Sequence, residues 1–180
     1  GGQLGRMFAL AAKTMGYRVT VLDPDPDAPA AAFADRHLCA PFDDAAALAE
    51  LAECAAVTTE FENVNADAMR LLAQHTVVSP SGDCVAVAQN RILEKERIRA
   101  AGLQTAPYQA VRVADDLGDA SAALLPGILK TATLGYDGKG QIRVNTVDEA
   151  KAAFAELGGV ACVLEKTVDL RGEISVVVCR

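Results

Sequence analysis

From Leu4 to Pro80 the hydrophobic pattern keeps switching between a helical period and a strand period, and this alternation limits the possible folds more than any other feature of the chain. LGRMFALAAKTMGY sets Leu4, Phe8, Ala11 and Met15 on one face and stops at Gly16, which predicts a helix; RVTVLD behind it is a short β-branched strand. After the turn-rich DPDPDAP the scheme repeats: RHLCA as strand, DDAAALAELAE as helix with acidic residues in its first turn, AAVTTE as strand, NADAMRLLAQ as helix and TVVSP as strand. Strands that alternate with helices argue for a parallel sheet covered on both faces, so residues 1–80 are expected to form a Rossmann-like α/β domain.

From Ser81 the pattern changes. SGDCVAVAQN and RILEKERIRAAG read as two helices, the second stopped at Gly102, and QTAPYQAVRV as a loop running into a strand. Then come helix (DDLGDASAAL), strand (GILKTA), a glycine-rich loop (TLGYDGKGQ), strand (IRVNT), helix (VDEAKAAFAEL), strand (VACVLEK) and strand (GEISVVVC). Residues 81–164 are expected to form a helical linker and a small, mainly antiparallel lobe, and residues 165–180 the incomplete start of a second lobe. A glycine-rich turn at Gly1 with no strand before it, and a strand at the end with nothing to follow, predict a chain truncated at both ends.

No apolar run reaches the roughly 20 residues needed to span a bilayer. The net charge of −7, from 17 Lys and Arg against 24 Asp and Glu, disfavours a nucleic-acid partner. Five scattered cysteines, Cys39, Cys54, Cys84, Cys162 and Cys179, form no metal-ligand spacing and read as small buried apolar residues in a reducing compartment. His37 and His75 are isolated and receive no catalytic role.

Three segments carry chemistry. GGQLGR opens a helix, so the amides of Gly2 to Gly5 could cradle an anion on its positive end. With Asp23 about 18 residues past Gly5, it also fits the end of a dinucleotide fingerprint, a weak signal because other Rossmann-like domains share it. TTEFENV puts Glu60, Glu62 and Asn63 at a strand end, where open α/β sheets bind ligands; Glu60 is the candidate for substrate, and Asn63 or Asn65 for capping the helix that starts near Ala66. GILKTATLGYDGKGQ delivers Lys130 on an apolar strand beside Gly135, Gly138 and Gly140, a cation next to a cradle of amide donors suited to polyphosphate. A tight hairpin would explain the Asp-Gly pair but not the clustering of Lys130, Tyr136 and Lys139, and no G-K-[ST] marks a Walker loop. VACVLEKTVDLRGEISVVV then supplies Glu165 and Lys166 at a strand end and Glu173 at the start of another, backbone groups for an adenine edge and a carboxylate for ribose hydroxyls.

In this order the segments resemble ATP-grasp ligases, over the whole chain and most specifically the 5-(carboxyamino)imidazole ribonucleotide synthase family: GGQLGRM, ADRHL at 34–38, TTEFENV at 58–64, NRILEK at 90–95, LKTATLGYDGKGQ at 129–141 and LEKTVDLRGEISV at 164–176. The resemblance implies a pre-ATP-grasp parallel sheet followed by an ATP-grasp lobe. It implies that Arg91 and Lys130 contact ATP phosphates, that Gly135, Tyr136, Asp137, Gly138, Lys139, Gly140 and Gln141 form a mobile lid, that Glu165, Lys166, Thr167 and Val168 line the adenine pocket, and that Glu173 holds the ribose. Gly2, Gln3, Leu4 and Glu60, with Tyr136, Asp137 and Lys139, would surround aminoimidazole ribonucleotide. The implied reaction phosphorylates bicarbonate with ATP and carboxylates the substrate amine, in cytoplasmic purine synthesis, by a homodimer with neither nucleic acid nor membrane as partner. Magnesium would accompany ATP, but the acidic residues that hold it in the family belong to a later N-E-x-A-P-R-like stretch unmatched here, so no metal ligand and no turnover are expected of these residues alone. The competing readings are another ATP-grasp enzyme, such as formate-dependent phosphoribosylglycinamide formyltransferase, which usually carries a Ser-rich loop here, or a biotin carboxylase, and a non-catalytic Rossmann-like module binding NAD, which predicts no ATP-grasp lobe after Pro80.

Overall fold

In the first of the two units into which the chain divides, Gly1–Gln89, three of the four α-helices begin where a short polar side chain can take up free amides. Asp44 accepts from the Ala47 amide ahead of α2 (Ala45–Ala52), Asn65 from the Asp67 and Ala68 amides ahead of α3 (Ala66–Leu72), and Ser81 from the Cys84 amide ahead of α4 (Gly82–Ala88). Each such cap stabilises its helix by about 0.5–2 kcal/mol. The structure, a computed structural model, describes residues 1–135 and 139–176.

Strands β1 (Thr20–Leu22) and β2 (Arg36–Leu38) pair in parallel, as do β3 (Ala56–Val57) and β4 (Val77–Val78). The parallel βα pattern is therefore present, but as two separate pairs and not one continuous sheet. Leu38, Leu48, Leu51, Ala68 and Leu72 form the buried core over these strands. The first helix, α1 (Gln3–Thr14), turns a different side inward from the one its apolar spacing suggests. Leu4, Phe8 and Met15 are 60%, 53% and 72% exposed, and Ala11 is exposed as well. What faces inward is small: Ala9 and Ala30 are fully buried, and a Cβ added at Gly5 would lie 3.5 Å from that of Ala30. Side chains without bulk let the helix approach closely, and hydrophobicity alone does not reveal that.

α4 stays with the first unit, which runs to Gln89, whereas the sequence pattern changes at Pro80. Gly82 permits this, since a Cβ there would sit 2.6 Å from the Ala66 carbonyl oxygen on α3.

The second unit, Asn90–Arg180, holds α5 (Arg91–Ala100), β5 (Tyr108–Val111), β6 (Gly127–Thr131), β7 (Gln141–Val144), α6 (Val147–Glu156) and β8 (Cys162–Lys166). Its four strands form an antiparallel sheet in the order β5-β8-β6-β7. Alternation along the strands divides its faces. Cys162 and Leu164 join Val111, Leu129, Val144 and Phe154 in the main core, while Val163 packs with Ile92 of α5 and with Ala132 on the other face.

Three expectations are corrected here. DDLGDASAAL forms two 3-10 segments, Ala114–Asp116 and Asp119–Leu124, and no α-helix; extended Gly118 interrupts it, and the Asp116 carboxylate accepts the Arg112 and Val113 amides, a local turn that competes with a helix. Residues 172–176 carry no strand, and residues 177–180 lie outside those described. Of the cysteines, Cys162 is buried as expected, but Cys39 and Cys84 are exposed and Cys54 is half-buried. Among the described residues no helix is long and apolar enough to cross a membrane.

Candidate functional site

The α5-facing side of the antiparallel sheet carries an ion-pair cluster. Lys130 and Glu165 occupy β6 and β8, on the face where Val163 meets Ile92, and Lys130 Nζ lies 2.7 Å from Glu165 Oε2. The other carboxylate oxygen is taken by a residue that sequence reasoning missed: Lys95 Nζ stands 2.7 Å from Glu165 Oε1. Burial raises the Glu165 pKa, and hydrogen bonds from Lys130 and then Lys95 outweigh it, so the carboxyl stays below its ordinary value. The signal for Lys95 was present but silent. It is four residues after Arg91, one helical turn along the same face of α5, and only the arrival of Glu165 from β8 gives that spacing a meaning.

Arg91 ties α5 to the glycine loop. Its amide donates to the Ala132 carbonyl at 2.8 Å, Nε donates to the Thr131 carbonyl at 3.2 Å, and Nη2 donates to the Gly135 carbonyl at 2.8 Å. The loop closes on β6 through the Thr131 amide, which donates to the Gly140 carbonyl at 2.8 Å. Gly140 has φ +71°, and a Cβ there would stand 2.7 Å from Thr131 Oγ1, so both backbone and space demand glycine. Gln141, assigned to the loop from sequence, opens β7 opposite Lys130. Lys139 is exposed, and Tyr136, Asp137 and Gly138 lie outside the described residues.

The adenine segment is only partly gathered. The Lys166 amide donates to Pro107 O at 2.9 Å and the Thr167 amide to Pro126 O at 3.0 Å, so both already serve the sheet. The Lys166 ammonium reaches Ala123 O at 3.2 Å, whereas the side chain of its neighbour Glu165 joins the lysines. Thr167, Val168 and Glu173 are exposed in a stretch without regular structure, so Glu173 does not open a strand as its sequence setting suggested.

In the first unit, the glycine turn and the strand-end carboxylate do meet. Glu60, just beyond β3, accepts the Gly5 amide at 3.1 Å, which places a negative charge on the first turn of α1, beside Gly2, Gln3 and Leu4. The anion cradle read from GGQLGR is thus partly filled from within. Gln89, which no sequence motif marks, secures the loop after β3 by donating to Glu62 O at 2.6 Å and to Val64 O. Among the described residues no three His, Cys, Asp or Glu side chains come together as a metal-ligand cluster.

A parallel βα unit followed by an antiparallel sheet with a lysine and an arginine around a glycine loop defines an ATP-grasp protein, and the chain belongs to that family. The ribonucleotide synthetase preATP-grasp domain matches residues 1–89, and the ATP-grasp domain matches residues 96–180. Over its whole length the chain is similar to N5-carboxyaminoimidazole ribonucleotide synthase of Bacillus subtilis, at 41% identity, covering 100% of this chain and 48% of that protein. Among solved structures, the Staphylococcus aureus N5-carboxyaminoimidazole synthetase complexed with ADP superposes with a TM-score of 0.88 at 36% identity over 95% of this chain and 46% of that one. The Aspergillus clavatus enzyme in complex with ADP and 5-aminoimidazole ribonucleotide gives 0.82 at 29% identity, with the same coverage of 95% and 46%. The chain spans about half the length of the relatives it matches.

Proposed function

We propose that these residues serve an ATP-dependent ligase that carboxylates 5-aminoimidazole ribonucleotide with bicarbonate, a step of purine synthesis. A bicarbonate oxygen takes the γ-phosphoryl group of ATP, releasing ADP and forming carboxyphosphate; the exocyclic amine of the substrate then attacks the carboxyl carbon, phosphate leaves, and the amine gives up a proton. Lys130 and Arg91 act on the first step by offsetting the charge on the phosphates, which lowers the barrier where charge builds up on the transferring group. The amides of the glycine loop add uncharged donors, and Tyr136, Asp137 and Lys139 are assigned to the substrate side together with Glu60 and residues 2–4. Glu165 to Val168 and Glu173 are assigned to adenine and ribose. Magnesium is expected to accompany ATP, and no step is assigned to it.

One observation carries the reading: Lys130, Arg91 and the ends of the glycine loop converge on one face of the antiparallel sheet. The similarity over the entire chain supports the choice of substrate. The test is bicarbonate-dependent release of ADP by a protein of the relatives' length containing these residues, with and without aminoimidazole ribonucleotide. Stimulation by formate and glycinamide ribonucleotide in place of bicarbonate would transfer the assignment to the formyltransferase. A cytoplasmic homodimer belongs to the same reading, and sedimentation of that longer protein tests the dimer.

A further inference from the structure

Glu165 is an unusual neighbour for a lysine meant to hold phosphate, because a carboxylate paired with that lysine opposes an incoming anion. The structure resolves the conflict through a second cation. Lys130 contacts Oε2 and Lys95 contacts Oε1, each at 2.7 Å, and all three side chains are largely sheltered, at 22%, 15% and 13% exposed for Lys130, Lys95 and Glu165. Lys95 is held from another side by the Tyr108 ring, whose centroid is 5.4 Å from its ammonium, and Arg99 lies 4.1 Å over the same ring. An ammonium has three donors, so Lys130 retains donors beyond the one it gives to Glu165.

We propose that Lys95 is a positioning residue for nucleotide binding: by neutralising Glu165 through its second oxygen, it leaves the charge of Lys130 available to phosphate. This deepens the nucleotide-binding assignment above and rests on it. Without Lys95 the sheltered carboxylate has Lys130 as its remaining ion-pair partner, so binding phosphate would require breaking the sole compensation of a desolvated charge. Lys95 therefore acts through Glu165 and needs no contact with the nucleotide.

The experiment is a double-mutant cycle on the protein of the relatives' length, with the dissociation constant of ADP as the readout. Lys95→Met is expected to weaken ADP binding about tenfold when Glu165 is present, and by less than about twofold in the Glu165→Gln background, where there is no charge left to neutralise. Lys95→Arg restores a cation and is expected to recover most of the affinity. Thermal melts of all variants confirm that folded protein is compared, and Lys95→Gln replaces Lys95→Met if the latter fails to fold. Equal losses in both backgrounds would mean that Lys95 meets the nucleotide directly, and no loss in either would leave it without this role; both overturn the proposal while nucleotide binding stands. Absence of ADP binding by the unaltered protein would instead sink the parent assignment.

Discussion

Glu60 accepts the amide of Gly5 at 3.1 Å, so a carboxylate at the end of β3 caps the first turn of α1 from 55 residues away. A Cβ at Gly5 would stand 2.9 Å from the same oxygen, which makes glycine part of the contact. Glu60 therefore has two separable roles, one in folding and one proposed for substrate. Glu60→Ala should lower stability by about 0.5–2 kcal/mol, the range for a lost N-terminal cap. In the longer protein it should also raise KM for aminoimidazole ribonucleotide while leaving the dependence on ATP nearly unchanged. Steady-state kinetics with each substrate varied in turn, beside urea unfolding, separates the effects; a shift in the KM for ATP as large as that for the ribonucleotide would refute the division.

Lys130 should behave in the opposite way. Lys130→Ala removes a charge-assisted contact and should weaken nucleotide binding by about 1.5–3 kcal/mol, roughly ten- to a hundredfold, whatever the acceptor. It also leaves Glu165 with Lys95 as its ion-pair partner, so a fall in melting temperature should accompany the loss. Calorimetric titration with ADP checks the first effect and a thermal melt the second. Unchanged ADP affinity in a folded variant would remove Lys130 from the site.

The period of the hydrophobic pattern was enough to separate strands from helices where burial on one face repeats locally in sequence, but not at 115–124 or at 172–176. It was not enough to say which face is covered. Leu4, Phe8 and Met15 make a clear apolar stripe, yet α1 turns Ala9 inward, since close approach depends on the absence of bulk and not on hydrophobicity. Lys130 could be placed beside the glycine loop from sequence because strand, cation and glycines lie in consecutive order, whereas Arg91 entered only through the family resemblance. Lys95 and Gln89 were not legible, because each acquires its role from a partner distant in the chain: Glu165 for one, the carbonyls of Glu62 and Val64 for the other. The reading of 115–124 as a helix failed at Asp116, whose side chain satisfies two amides locally and so removes the reason to form a helical turn.

Acid should expose the Glu165 cluster. Its carboxyl is held below the ordinary 4.5 in the folded state, because the hydrogen bonds from the two lysines outweigh the upward effect of burial. A depressed folded pKa means stability that is fully present above the unfolded value and is lost as pH falls through the folded one. Unfolding free energy should therefore decline below about pH 4.5, and the decline should be shallower in Glu165→Gln by the share this group contributes. Asp35 and Asp116 are also lowered, so the difference between the two profiles, and not the wild-type profile alone, isolates Glu165. Parallel profiles from pH 7 to pH 3 would contradict the assignment.

Gly140 and Gly102 offer a test of why the loop beside Lys130 needs glycine. Both have positive φ, +71° and +80°, so an alanine at either place should cost about 1–2 kcal/mol for adopting the left-handed conformation. Their surroundings differ. Nothing lies within 4 Å of a Cβ built at Gly102, whereas at Gly140 it would fall 2.7 Å from Thr131 Oγ1, on the residue whose amide holds the loop to β6. Gly140→Ala must therefore add steric displacement of Thr131 to the conformational cost, and that displacement reaches Arg91 through its bond to the Thr131 carbonyl. Urea unfolding should show a larger loss for Gly140→Ala than for Gly102→Ala, and ADP titration of the longer protein should show weakened binding for the first and little change for the second. Equal stability losses with equal ADP affinities would mean that the glycine serves backbone conformation alone and that the approach to Thr131 does not shape the nucleotide site.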